Sequence, residues 1–135
     1  MNQRGYREVE HTADWELEVW APDFPILLEQ AARGMYALSG VELLISQRIT
    51  RNLSLIISDL ESALVEFLNE LIWYGEDERL GFDQFQITIL EDRLSARLTG
   101  APIDHQMKEI KAVTFHNLRI DRTDSGFKVN IVFDV

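Results

Sequence analysis

The sequence predicts an α+β fold: two amphipathic helices packed on a mostly antiparallel sheet, in the order β-α-β-α-β-β-β-β. Three observations predict it. Apolar residues alternate with period two in several short runs, the mark of half-buried strands. Two longer stretches carry apolar residues at helical spacing, each about 16 residues, near the globular norm. Short polar turns join runs in the second half, and such turns connect antiparallel neighbours. Helices covering such a sheet form a stable layered solution.

The first strand spans 14–20. Trp15, Leu17 and Val19 share one face, and Asp14, Glu16, Glu18 and Trp20 the other. Pro22 ends it. Asp23 caps the first helix, with Pro25 in the first turn, where a missing N–H costs little. Phe24, Leu27, Leu28, Ala31, Met35 and Leu38 form its apolar stripe, and Gly40 is its stop. Leu53, Leu55 and Ile57 alternate within a strand over 48–57. Ser58 followed by Glu61 matches a capping box. The helix it opens carries Leu60, Ala63, Leu64, Phe67, Leu68, Leu71 and Ile72, and Gly75 closes it. Its aromatics Phe67, Trp73 and Tyr74 read as core or core edge, and Glu76-Asp77-Glu78 as a solvated loop.

Phe85, Ile87 and Ile89 lead to a turn at Glu91-Asp92-Arg93, and Leu94, Ala96 and Leu98 return as a hairpin. Residues 100–107 read as a loop or short helical turn. Residues 110–120 read as a strand whose alternation slips between Phe115 and Leu118, which a bulge would reconcile. Asp124-Ser125-Gly126 is a turn before a last strand with Phe127, Val129, Ile131, Phe133 and Val135.

At 135 residues the chain is expected to be one domain, 1–135. That length buries roughly two-thirds of the unfolded surface. The net charge of −10 disfavours autonomous binding to nucleic acid or anionic membrane, where affinity comes from neutralised phosphates. Basic protein surfaces and metal cations are the better expected partners. With no cysteine, disulfides, thiolate metal sites and a Cys nucleophile are excluded. No secretory signal is visible, and no apolar run approaches the ~20 residues of a membrane span. A cytoplasmic protein is expected.

Asp14 faces away from Trp15, Leu17 and Val19, and Asp134 away from Phe133 and Val135. If those apolar sets line one core, both aspartates project to the opposite side. Two carboxylates brought close repel, and a hard cation such as Ca²⁺ or Mg²⁺ removes the penalty. Val135 could add backbone oxygens. Spacing alone favours two unrelated solvated aspartates at strand ends, since nothing in the periodicity places the two segments side by side. Lys111 shares a face with Val113 and Phe115, either snorkelling from the sheet rim or meeting an acidic group or phosphate. His11 and His116 lack H-x-x-x-H or H-E-x-x-H spacing, so a zinc enzyme is poorly supported. His105 sits among polar residues and reads as exposed. There is no P-loop, no G-x-G-x-x-G and no G-x-S-x-G.

Several segments, in order along nearly the whole chain, resemble the archease family. They are Glu10-His11-Thr12-Ala13-Asp14, Ala31-Ala32-x-x-Met35, Leu68-Asn69-Glu70-Leu71, Glu109-Ile110-Lys111-Ala112-Val113-Thr114-Phe115-His116 and the final Phe133-Asp134-Val135. The resemblance implies a small α+β protein that is not itself an enzyme. It would activate an RtcB-type GTP-dependent RNA ligase in tRNA splicing or RNA repair, promoting the ligase–guanylate intermediate and multiple turnover. It further implies a divalent-cation site, expected to take Ca²⁺ with Mg²⁺ or Mn²⁺ as alternatives, at Asp14, Asp134 and Val135. Lys111 takes the place of the family's functionally important lysine. The chain departs from the family pattern at Trp15, where a small or aliphatic residue is usual. Phe115 stands where Tyr is common, and Glu16 and Glu18 add acidity. Two rivals remain: a metal-dependent phosphoester hydrolase using His11, Asp14 and His116, and a chaperone-like interaction module without metal.

Overall fold

The first two strands, β1 (Gly5–Val9) and β2 (Trp15–Ala21), form an antiparallel pair, with Gly5 opposite Trp20 and Val9 opposite Glu16. The structure, a computed structural model, describes residues 3–10, 15–45 and 47–135. In β2 the predicted alternation holds: Leu17, Val19 and Ala21 are buried, and Glu16, Glu18 and Trp20 are only partly covered.

Helix α1 (Phe24–Ser39) starts where Asp23, in extended conformation, accepts the Ile26 N–H at 2.9 Å. It stops at Gly40, whose φ of 66° lies in the left-handed region that costs a glycine nothing. After the two-residue strand β3 (Glu42–Leu43) comes β4 (Ile49–Ile56) and helix α2 (Leu60–Asp77). The hairpin β5 (Leu80–Leu90) and β6 (Arg93–His105) follows, then β7 (Ala112–Val113), β8 (Ile120–Thr123) and β9 (Gly126–Asp134). The predicted order is thus the frame of the fold, with short strands added to it.

Every strand pair is antiparallel among the described residues, and the strands form two sheets. In the first, the order is β1-β2-β9-β7, with β8 also on β9. In the second, β6 is central, flanked by β5 on one edge and by β3 and β4 on the other. Helix α1 touches both sheets. At Gly34 it approaches the first so closely that an added Cβ would lie 2.5 Å from Leu17 Cδ2 and 2.9 Å from the Tyr6 ring. The Arg33 guanidinium, on the same helix, stands 5.2 Å from the Phe85 ring centroid of the second sheet. One buried cluster joins both sheets and both helices, with Leu17, Val19, Leu28, Phe67, Leu98, Ile131 and Phe133 near its centre. Burying a side chain of this size is worth about 1.5–3 kcal/mol, so the core holds the sheets in register.

Four expectations change. The cap of α2 is Asp59, not Ser58: its carboxylate accepts the Ser62 N–H at 2.7 Å. Glu61 therefore does not close a capping box; it reaches the Ile120 N–H at 3.0 Å. Gly75 does not end α2, which runs on to Asp77, so the acidic triplet is its last turn and cap, with Glu78 bound to Arg51 at 2.6 Å. Residues 100–105 are strand rather than loop. Gly100 and Pro102 signal a break, but residues 101 and 102 lie where the β4 partner has ended and β3 has not begun. The missing Pro102 N–H is therefore not needed on that edge.

The 110–120 slip is no bulge either. The strand stops at Val113, turns through Phe115–Leu118 with the Leu118 N–H bonded to the Phe115 carbonyl at 3.1 Å, and restarts at Ile120. Asn117 at φ 53° makes the turn. The two pieces, β7 and β8, pair with the same edge of β9.

Candidate functional site

The C-terminal end of β9 is where Lys111, Asp134 and Val135 come together, because β9 is flanked on both edges there. On one edge, Trp15, at the start of β2, is opposite Phe133. On the other, Ala112 is opposite Asp134 and Val113 opposite Phe133. Phe133 is 2% exposed and fixes the strand to the core. Alternation then turns Asp134 to the outer, solvent-exposed face, and Val135 is half-buried.

Lys111 immediately precedes β7, and its N–H donates to the Asp134 carbonyl oxygen at 2.8 Å. Its side chain is exposed at the sheet rim. The chain therefore places Lys111 and Asp134 side by side although they are far apart in sequence. Asp14 and His11 lie outside the described residues. Among the described residues no three His, Asp or Glu side chains gather into a group that could hold a metal. What Asp134 and Val135 bring is oxygen, the donor type that suits hard cations such as Ca²⁺ and Mg²⁺.

The segment carrying Lys111 is tied down on several sides. Upstream, the Met107 and Lys108 N–H groups both donate to the Ser39 carbonyl, at 3.0 and 3.1 Å. Downstream, the Val113 N–H donates to Asn69 Oδ1 at 3.0 Å, and the Thr114 N–H to the Val132 carbonyl at 3.0 Å. A cavity of about 230 Å³ lies beside this segment, lined in part by Tyr36, Ser39, Glu76, Arg79, Glu109 and Ile110. The Tyr36 hydroxyl is buried without a well-formed hydrogen bond, and burial pushes its pKa up, with the Phe82 backbone offsetting little.

His116 is exposed, its Nε2 3.2 Å from Asn117 Nδ2, and sits in the turn after β7. His105 is exposed at the end of β6, as expected. Phe115 is 60% exposed, so the turn presents an aromatic ring without a hydroxyl.

The outer face of β2 is acidic but not open. Glu16 accepts from Asn130 Nδ2 at 2.7 Å, and Glu18 pairs with Arg7 at 2.8 Å and Lys128 at 3.3 Å. The Arg7 hydrogen bond, helped by Lys128, holds the Glu18 carboxyl below the usual carboxylate range despite its partial burial. Sequence reading missed these partners, since Arg7 lies on β1, a strand too exposed to show an alternating pattern. It also missed Asn69 and Glu61 as anchors of the Lys111 segment. The available signals were a polar Asn inside a helix and its place in the Leu68-Asn69-Glu70-Leu71 segment that carries the resemblance.

Comparison with known proteins identifies the family and the fold. The family model described as the Archease protein family matches residues 6–135. Protein archease of Methanosarcina barkeri is 30% identical over 139 aligned residues, covering 96% of this chain and 95% of the relative. The crystal structure of an archease from Thermotoga maritima, termed a possible chaperone, superposes with a TM-score of 0.72 at 25% identity, covering 96% of each chain. The solution structure of a Methanobacterium thermoautotrophicum protein gives 0.70 at 24% identity, covering 97% of this chain and 99% of the other, and shares the fold. Among the described residues no helix is long and apolar enough to cross a membrane.

Proposed function

The chain belongs to the archease family, and from that premise we propose that it is a non-enzymatic activator of an RtcB-type, GTP-dependent RNA ligase, acting in the cytoplasm in tRNA splicing or RNA repair. It acts through the tip formed at the end of β9. The observation that carries this reading is the register there: Lys111 is hydrogen-bonded through its backbone to Asp134, beside the first residue of β2. A divalent cation, Ca²⁺ before Mg²⁺ or Mn²⁺, is held by Asp14, Asp134 and Val135 and supplies positive charge at the tip. Lys111, exposed on the same rim, presents an ammonium to a phosphate or acidic group of the ligase site. The net charge of −10 steers the protein onto a basic, RNA-binding partner.

The test is single-turnover guanylylation of a cognate ligase. Asp14→Ala, Asp134→Ala and Lys111→Ala are expected to abolish most of the stimulation. If all three stimulate like wild type, the reading fails. Calcium titration separates the metal part: wild type binds, Asp14→Asn binds much more weakly, and equal weak affinity would sink the cation site. The related archease termed a possible chaperone favours one alternative, an interaction module without metal. That alternative predicts stimulation that survives chelator and Asp14 substitution.

A further inference from the structure

Helix α2 grips the segment that carries Lys111 through two side chains. Asn69 Oδ1 accepts the Val113 N–H, and the Glu61 carboxylate accepts the Ile120 N–H, each at 3.0 Å. The acceptors are eight residues apart, which at 3.6 residues per turn returns them to within about 80° of one helix face. One face of α2 therefore holds both ends of the stretch 113–120.

The two anchors have different work. Ile120 opens β8, which has a four-residue ladder of its own with β9. Strand β7 has only two residues, joined to β9 by the Lys111 and Thr114 N–H bonds on either side of it, so each further anchor counts. Its Val113 side chain is buried, and its N–H points away from β9 toward α2. A buried amide there needs an acceptor, and Asn69 is the group that supplies it. Asn is a poor helix former because its side chain competes for backbone groups. Its presence in the interior of an 18-residue helix is explained by this long-range bond.

We infer that Asn69 is a positioning residue for Lys111: by accepting the Val113 N–H it locks β7 against the end of β9 and so fixes where the lysine stands relative to Asp134. This rests on the reading that Lys111 acts on the ligase. Asn69 itself touches no partner; it acts through the two-residue strand.

Asn69→Ala, Asn69→Asp, Asn69→Gln and Lys111→Ala in the full chain test it, by amide hydrogen exchange and by single-turnover guanylylation of a cognate RtcB-type ligase. Asn69→Ala is expected to speed exchange at the Val113 and Lys111 amides at least tenfold. It is also expected to cut stimulation at least tenfold, toward the level of Lys111→Ala. Asn69→Asp keeps an acceptor in place and restores both. Asn69→Gln shifts the acceptor by one methylene and falls between, so it carries the test if the Ala variant does not fold. Faster exchange with undiminished stimulation would overturn the role, as would unchanged exchange or failure of Asp to rescue. A Lys111→Ala protein that stimulates like wild type overturns the reading beneath it instead, and shows itself without reference to Asn69.

Discussion

Replacing Asp59 by Ala should destabilise the protein by about 1–2 kcal/mol, while Ser58→Ala stays within about 0.5 kcal/mol. Asp59 Oδ1 accepts the Ser62 N–H at 2.7 Å, and Oδ2 meets the Ser62 hydroxyl at 3.0 Å. Loss of such a cap typically costs about 1 kcal/mol. Removing a carboxylate from the positive end of α2 adds roughly 0.3–1 kcal/mol at an exposed terminus. Ser58 makes no capping bond to α2 among the described residues, since the cap position is taken. An unfolding entropy of about 2.1 cal/mol/K per residue gives roughly 0.28 kcal/mol/K for a chain of this length, so 1.5 kcal/mol lowers Tm by about 5 °C. Urea and thermal unfolding followed by circular dichroism measure both variants. The urea slope should be unchanged, because the surface exposed on unfolding is the same. If Ser58→Ala costs as much as Asp59→Ala, the capping argument is wrong.

Three further outcomes are expected. Gly34→Ala should lower stability although Ala is the better helix former by about 1 kcal/mol. The new methyl would meet Leu17 Cδ2 at 2.5 Å and Tyr6 Cγ at 2.9 Å in a closed contact, and overpacking costs typically 1–3 kcal/mol. A rise in the urea midpoint would show that β1 yields instead. The Glu18 carboxyl titrates below its unfolded value, chiefly through Arg7. Its contribution is therefore present above the unfolded carboxylate pKa of about 4.3 and is lost as pH falls through the lower folded value. Glu18→Gln should flatten the stability–pH curve in that acid window and leave its shape near neutrality alone; an identical acid limb would refute this. Leu98→Ala, at a fully buried position in central β6, should cost about 2–5 kcal/mol. A loss under 1 kcal/mol by urea titration would mean the core is looser than its packing indicates.

Much of the fold was legible because local rules and tertiary packing agree. Asp23 and Gly40 punctuate α1 as their chemistry requires, and the alternation of β2 and β9 matches their buried faces. Misreadings arose where a partner strand decided the outcome. Gly100 and Pro102 look like a loop, yet β5 pairs with β6 through both of them. The slip after Phe115 looks like a bulge, yet β9 is long enough to accept two separate strands along one edge. Ser58 and Glu61 fit a capping pattern, but Asp59, one residue nearer the helix, offers the stronger acceptor, and Ile120 claims Glu61.

The candidate site divides the same way. Sequence by itself determined which face Asp134 occupies, because alternation in β9 is fixed by the burial of Ile131 and Phe133. Through the resemblance it also singled out Lys111. It could not determine that Lys111 would be hydrogen-bonded to Asp134, or that Trp15 would stand beside Phe133. Those are register choices between strands remote in sequence. Periodicity says which way a side chain points, but it carries no information about which residue lies opposite. Only the packed sheet, with α2 reaching across to hold β7 through Asn69, brings the two segments to one end of the molecule.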